Sequence, residues 1–375
     1  MERGQVKKRL TSRGSVKGVR TDRFVRKILI YRLGSLGDTC VALPALRVVR
    51  ERYPEATITL LTNLPMNVKA APAVAVLEGT GLVDDYLAYP VGTRNPLLLL
   101  GLAWKLRRQR FDVIVNLAAW RGERALRRDR FFFSAAGSGT LVGFQGGEGG
   151  KVRPVENGMV EFEAAALLRR VAGLGAADLA DPRWWSMELS GAELVAARAC
   201  LVGAGIRGNF VVLSVGAKVP AKDWTQPNWM DLAGRLGRRY PELGCVFIGS
   251  ADEAERADQC LRNWPGPRLD LCGRTTPRES AAILALARLF VGHDSGPMHL
   301  AACVGTPGVA IFAARNPPRQ WFPLGSNHVV LYHQMDCYGC NLSDCIVQAK
   351  KCILSITVDE VMDAIGRQLE GGHGT

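Results

Sequence analysis

The chain has 375 residues, 47% of them hydrophobic, and a mean hydropathy of +0.03, so it can bury a large core and is neither a disordered nor a collagen-like protein. Its formal net charge is +13. Residues 1–27 hold ten Lys and Arg against Glu2 and Asp22, a local +8, so the body of the chain is only mildly basic. That distribution argues for an appended basic arm over residues 1–26 and against a nucleic-acid groove through the fold, so no nucleic-acid partner is expected. The first 23 residues lack the apolar segment of a secretory signal, and no apolar run reaches 18 residues. The expectation is a cytoplasmic chain without a transmembrane helix.

In chain order, Lys27–Tyr31 reads as a buried strand, followed by the loop Gly34-Ser35-Leu36-Gly37-Asp38 and a helix over Thr39–Tyr53. Further strands fall at Thr57–Thr62, Asp84–Tyr89 and Asp112–Leu117, with a helix over Leu97–Arg110. The rhythm breaks near Asp181–Trp185 and then restarts. Strands at Phe210–Val215, Cys245–Ile248, Leu269–Leu271, Leu289–Gly292 and Val309–Phe312 alternate with helices at Asn228–Tyr240, Asp252–Asn263, Pro277–Ala287 and Gly296–Val304. Two successive strand–helix runs predict two Rossmann-like, doubly wound parallel sheets facing across a cleft. The expected division is a domain over 27–185, a second over 190–345, and a C-terminal helix over 346–375.

Ligands of such sheets bind beyond the carboxyl ends of the strands, so the loops after strands carry the chemistry. Gly34 and Gly37 form GxxG, which is neither the dinucleotide fingerprint nor a P-loop. Asp38 at the start of a helix suits an N-terminal cap or a general base. Lys222, in the loop with Gly216 and Ala217, is either solvated or a phosphate contact. Glu253 either answers the helix dipole or accepts from ribose hydroxyls. In His293-Asp294-Ser295-Gly296-Pro297-Met298-His299 a strand runs straight into a helix whose first N–H groups suit a diphosphate, with His299 one turn further along. The apolar segment Leu97–Trp104 precedes Lys105, Arg107, Arg108 and Arg110. It reads either as a core helix with a basic outer face or as a helix lying in a membrane interface.

Four segments together resemble glycosyltransferase family 9, the ADP-heptose:lipopolysaccharide heptosyltransferases, over roughly residues 27 to 365. They are Arg32-Leu33-Gly34-Ser35-Leu36-Gly37-Asp38, Leu43-Pro44-Ala45-Leu46, Lys222-Asp223-Trp224 and Asp294-Ser295-Gly296-Pro297-Met298-His299. The resemblance implies a GT-B fold and an inverting, metal-independent transferase with no cofactor. It implies Asp38 as catalytic base, with Gly34, Ser35 and Gly37 in the acceptor-side loop. On the donor side it implies Gly216, Ala217, Lys222, Asp294, Ser295, Gly296 and His299 around the diphosphate, Glu253 at the ribose, and Gly273 and Thr275 beside the base. The partners so implied are a nucleotide-sugar donor, a glycolipid or glycan acceptor, and peripheral contact with an anionic membrane on its inner face. Two departures leave the donor sugar and base open, with ADP-heptose the leading reading. Ala313-Ala314-Arg315-Asn316 stands where relatives show Gly-Pro-Thr, and Lys222-Asp223-Trp224-Thr225 where they show Lys-Arg-Trp-Pro. Other readings are a GT-B nucleotide-sugar epimerase and a non-catalytic nucleotide-sugar or lipid-surface module. Cys337, Cys340, Cys345 and Cys352 form an irregular C-x2-C-x4-C-x6-C run, read as free thiols with a metal site as the alternative.

Overall fold

The computed structural model describes residues 25–64, 72–90, 92, 93, 95–137 and 139–370. Positions 1–24 of the expected arm, and 371–375 at the C-terminus, lie outside the described residues. The first half runs β1 (Lys27–Tyr31), α1 (Leu36–Cys40), α2 (Leu43–Arg52), β2 (Thr57–Asn63), α3 (Val74–Leu77), β3 (Asp85–Tyr89), α4 (Pro96–Gln109), β4 (Val113–Asn116), α5 (Glu123–Ala136), β5 (Thr140–Val142) and α6 (Glu163–Val171). The second runs α7 (Gly191–Gly203), β6 (Phe210–Ser214), α8 (Gln226–Arg239), β7 (Gly244–Phe247), α9 (Ala254–Leu261), β8 (Arg268–Asp270), α10 (Pro277–Ala285), β9 (Leu289–His293), α11 (Gly296–Cys303), β10 (Gly308–Phe312), β11 (His328–Tyr332), α12 (Lys351–Leu354) and α13 (Val358–Glu370).

Every strand pairing is parallel, in the orders β3-β2-β1-β4-β5 and β11-β10-β9-β6-β7-β8. The order in which successive strands are added therefore reverses at one point in each sheet, between β1 and β4 and between β6 and β9. β1 is central, and Ile28, Leu29 and Ile30 are fully buried, because a parallel strand is covered on both faces. The two-residue alternation separates those faces. Ile28, Ile30, Ile58 and Leu60 pack with α2, whereas Leu29, Tyr31, Leu61 and Ile114 share a smaller core with Leu106 of α4 and Phe133 of α5. Across the segment between the sheets, Arg278 of α10 donates to Glu193 of α7 at 2.6 Å and to the carbonyl of Met187 at 3.2 Å. That cation holds the Glu193 carboxyl down at about 2.

Two expectations need correction. The helix expected over Thr39–Tyr53 is broken into α1 and α2, with Pro44 the second residue of α2. Proline has no N–H to bond backwards, and its ring clashes with the carbonyl four residues earlier, so the helix must restart there. The C-terminal helix expected over 346–375 is two helices. Ala349 and Lys350 take left-handed backbone angles before α12, and a Thr357–Glu360 capping box opens α13.

Candidate functional site

The loops after β1, β6 and β9 meet in one cleft of about 350 Å³ between the two sheets. Of the residues singled out in the sequence, Ser35, Gly37, Asp38, Lys222, Asp294, Ser295, Gly296 and His299 line it. β6 and β9 flank the reversal point of the second sheet, so Lys222 and Asp294 converge although 72 residues apart. Lys222 Nζ lies 2.5 Å from Asp294 Oδ2 and 3.3 Å from the Asp294 carbonyl. The side chains are only 14% and 7% exposed, which makes this a largely desolvated ion pair.

Asp38 enters from the other sheet. Its Oδ2 accepts from Ser35 N at 2.8 Å and Ser35 Oγ at 3.0 Å, so it does cap the helix start. It also remains 22% exposed to the cleft, with Arg32 3.6 Å from Oδ1. Arg32 is buried and donates through Nε to the Asp38 carbonyl and through NH1 to Leu117, which holds the loop against β4. Capping and cleft exposure are thus compatible in one side chain.

The two halves of the site touch through α1 and α11. A Cβ on Gly37 would sit 2.6 Å from His299 Cδ2, so any side chain at 37 would push the halves apart. His299 is buried, and desolvation pushes its imidazole down to about 4 despite the attraction of Asp294 and Asp38. It is therefore neutral near pH 7.

Other predicted residues lie beside the cleft lining rather than on it. The Glu253 carboxyl packs against Gly216 and Gly249, where a Cβ would collide with it. Burial raises its pKa, and Ser250 Oγ donates to Oε1 at 2.7 Å. Ala217 follows Gly216 in the loop after β6. Gly273 N donates to the Gly249 carbonyl at 2.8 Å, and Thr275 Oγ1 is 2.8 Å from Ser280 Oγ on the following helix. Gly34 N donates to Asn63 Oδ1 at 2.8 Å, joining the loop after β1 to the end of β2.

Sequence reasoning missed Lys218, Val219, Trp321 and Asn341 in the lining, and read Arg315 and Asn316 only as part of a departure. Arg315 donates to the carbonyls of Leu342 and Asn341 at 2.8 and 2.9 Å. The cysteine-bearing segment is thereby bound to the cleft rim, and Ser343 O accepts from Ala221 N beside Lys222. The four cysteines of that segment are free thiols. Among the described residues no group of three or more His, Cys, Asp or Glu is placed to hold a metal ion.

His293 was also missed. Trp224 N donates to its Nε2 at 3.0 Å, which makes Nδ1 the donor to the Gly216 carbonyl at 3.1 Å. The ring thus ties the end of β9 to the Lys222 loop. Burial lowers its pKa, and holds His328 at about 4. Three neutral histidines, two of them buried and His328 partly so, have a consequence for stability. The unfolded chain takes up protons below about pH 6.5, whereas these rings resist them in the fold. Stability is complete above about 6.5 and should fall as pH drops toward 4, by roughly 1.4 kcal/mol per pH unit per histidine. Thermal melts from pH 7.5 to 5 should show a falling midpoint, with a shallower fall in His328→Gln. A flat midpoint over that range would contradict the neutral assignment.

Residues 159–351 match the family model for glycosyltransferase family 9 (heptosyltransferase). Lipopolysaccharide heptosyltransferase 3 of Escherichia coli K12 is 31% identical over 29% of this chain, which spans about a third (32%) of that relative's length. Among solved structures, a glycosyl transferase family 9 protein from Veillonella parvula superposes with a TM-score of 0.71 at 20% identity, over 92% of this chain and 98% of that one. The ADP-heptose lps heptosyltransferase II of E. coli superposes at 0.64 with 19% identity, over 93% and 100%. At these identities the structural likeness is one of fold, and two parallel-sheet α/β domains facing across a cleft are the GT-B architecture.

Proposed function

Since this chain belongs to glycosyltransferase family 9, the heptosyltransferases, we propose that it moves heptose from ADP-heptose onto a lipopolysaccharide-core or related glycan acceptor. The observation that supports this most is the single cleft receiving an acid from one sheet and cations from the other. The acceptor hydroxyl must lose a proton as it attacks the anomeric carbon, and Asp38 takes it. The C–O bond to the diphosphate breaks as the new glycosidic bond forms, and negative charge grows on the departing ADP. Lys222, Lys218, Arg315 and the first N–H groups of α11 are fixed donors for that charge. With the charge met by protein groups, the transfer needs no metal, and one in-line displacement inverts the anomeric centre. Asp294, Ser295, Gly296 and His299 shape the diphosphate end, and Gly216, Ala217, Glu253, Gly273 and Thr275 the ribose and base end. A lipid-linked acceptor places the enzyme at the inner face of a membrane.

The test is incubation of the full chain with ADP-heptose, with and without a core-glycan acceptor, in the presence of a chelator. The expected result is ADP release that requires the acceptor, with an inverted linkage by NMR. Conversion of the donor without an acceptor would identify an epimerase instead, and donor binding without turnover a binding module. Loss of turnover on chelation would overturn the metal-free scheme.

A further inference from the structure

Helix α4 buries little of itself. Leu106 is its only fully buried side chain among the described residues, while Leu97, Leu98, Leu100 and Trp104 are 75%, 51%, 66% and 62% exposed. A core helix would place such residues inward, so the sequence pattern alone does not explain this face. The neighbouring helix α5 adds Phe131, 77% exposed, and the exposed arginines Arg124, Arg127, Arg128 and Arg130. The two helices are joined by Arg107, which donates to the Ala135 carbonyl at 3.2 Å. Arg108 stacks over the Trp104 ring at 4.7 Å. From residue 96 to 136 the chain carries nine basic residues and three acidic ones, Asp112, Glu123 and Asp129. Asp129 is already engaged by Arg121 and Arg128. The exposed apolar side chains are therefore bordered by uncompensated cations.

We infer that the paired outer faces of α4 and α5 are the surface by which this protein lies on an anionic lipid bilayer. Apolar residues enter the acyl boundary and flanking cations meet the headgroups, as for helices that lie in a membrane interface. An apolar patch alone could equally receive a second copy of the chain, but a twofold contact would bring this arginine-rich face against itself. A negative surface is the complement. No helix among the described residues is long and apolar enough to cross a membrane, so the contact is peripheral. Topology supports the placement. α4 follows β3 and α5 follows β4, so both helices begin at the carboxyl edge of the first sheet, the edge that carries Asp38. A chain resting on this surface holds its cleft edge near the bilayer. That use of the surface rests on the transfer reading above, although the lipid contact itself does not require it.

The test is co-sedimentation of the full chain with vesicles of phosphatidylcholine alone and with 30% phosphatidylglycerol, at about 50 and 500 mM salt. Binding should require the anionic lipid and weaken several-fold at high salt. Leu100→Ser with Trp104→Ser should cut partitioning about tenfold or more, and so should Arg124→Glu with Arg127→Glu and Arg130→Glu. Every substituted side chain is exposed, and a thermal melt verifies folding. Wild-type binding by both variants would assign the lipid contact to the basic arm and overturn the proposal. So would failure of the wild type to bind anionic vesicles, or a dimer that the serine variant dissociates. ADP binding measured on the same samples keeps the outcomes separate, since it should be unaffected in both variants even where lipid binding is lost.

Discussion

Asp38→Asn should lower turnover about 10²–10⁴-fold, the range that follows loss of a general base, with ADP affinity nearly unchanged. The asparagine can still accept from Ser35 N at the helix start, so the fold should lose little. A converse variant separates the two duties of this residue. Ser35→Ala removes the hydroxyl that donates to Asp38 Oδ2 but leaves the carboxylate in the cleft. It should cost roughly 1 kcal/mol of stability and much less turnover. Arg32 touches the Asp38 carbonyl and acts as a positioning residue. Near-normal turnover in Asp38→Asn would confine Asp38 to capping. The decisive measurement is single-turnover transfer beside a direct ADP titration of the same protein.

Lys222→Ala should weaken ADP binding by about 10–100-fold, the worth of a charge-assisted contact, and by more at low salt. It has a second effect that must be kept apart. Removing the lysine leaves Asp294, 7% exposed, without its cation, and an uncompensated buried charge costs about 3–5 kcal/mol. The single variant therefore confuses lost binding with lost folding. Lys222→Ala combined with Asp294→Asn should recover much of the melting temperature and little of the ADP affinity. Recovery of both would reduce Lys222 to a partner for Asp294. Unchanged ADP affinity in the single variant would exclude it from the diphosphate site.

The positions of Asp38, Lys222 and the Asp294–His299 turn were legible because they depend on local rules. An apolar run makes a buried parallel strand, a glycine-containing turn follows, and a helix begins, so any polar residue in that turn stands at the carboxyl edge of a sheet. Those rules hold within about fifteen residues and need no knowledge of the partner sheet. Three features had no local signal. Asn341 reaches the cleft because Arg315 binds its segment to the rim, a contact between residues 26 apart with no periodicity to announce it. His293 reads as the first residue after a strand over Leu289–Gly292, and only the packed fold shows it bonded to Trp224 and Gly216. The apolar run Leu97–Trp104 is the same string whether it faces a core or water. Hydrophobicity sets how strongly a face seeks cover, but what lies opposite is decided by packing. Here the second face of the first sheet is closed by a core that takes only Leu106 fully from α4, and Leu97, Leu98 and Leu100 of its first two turns are left outside.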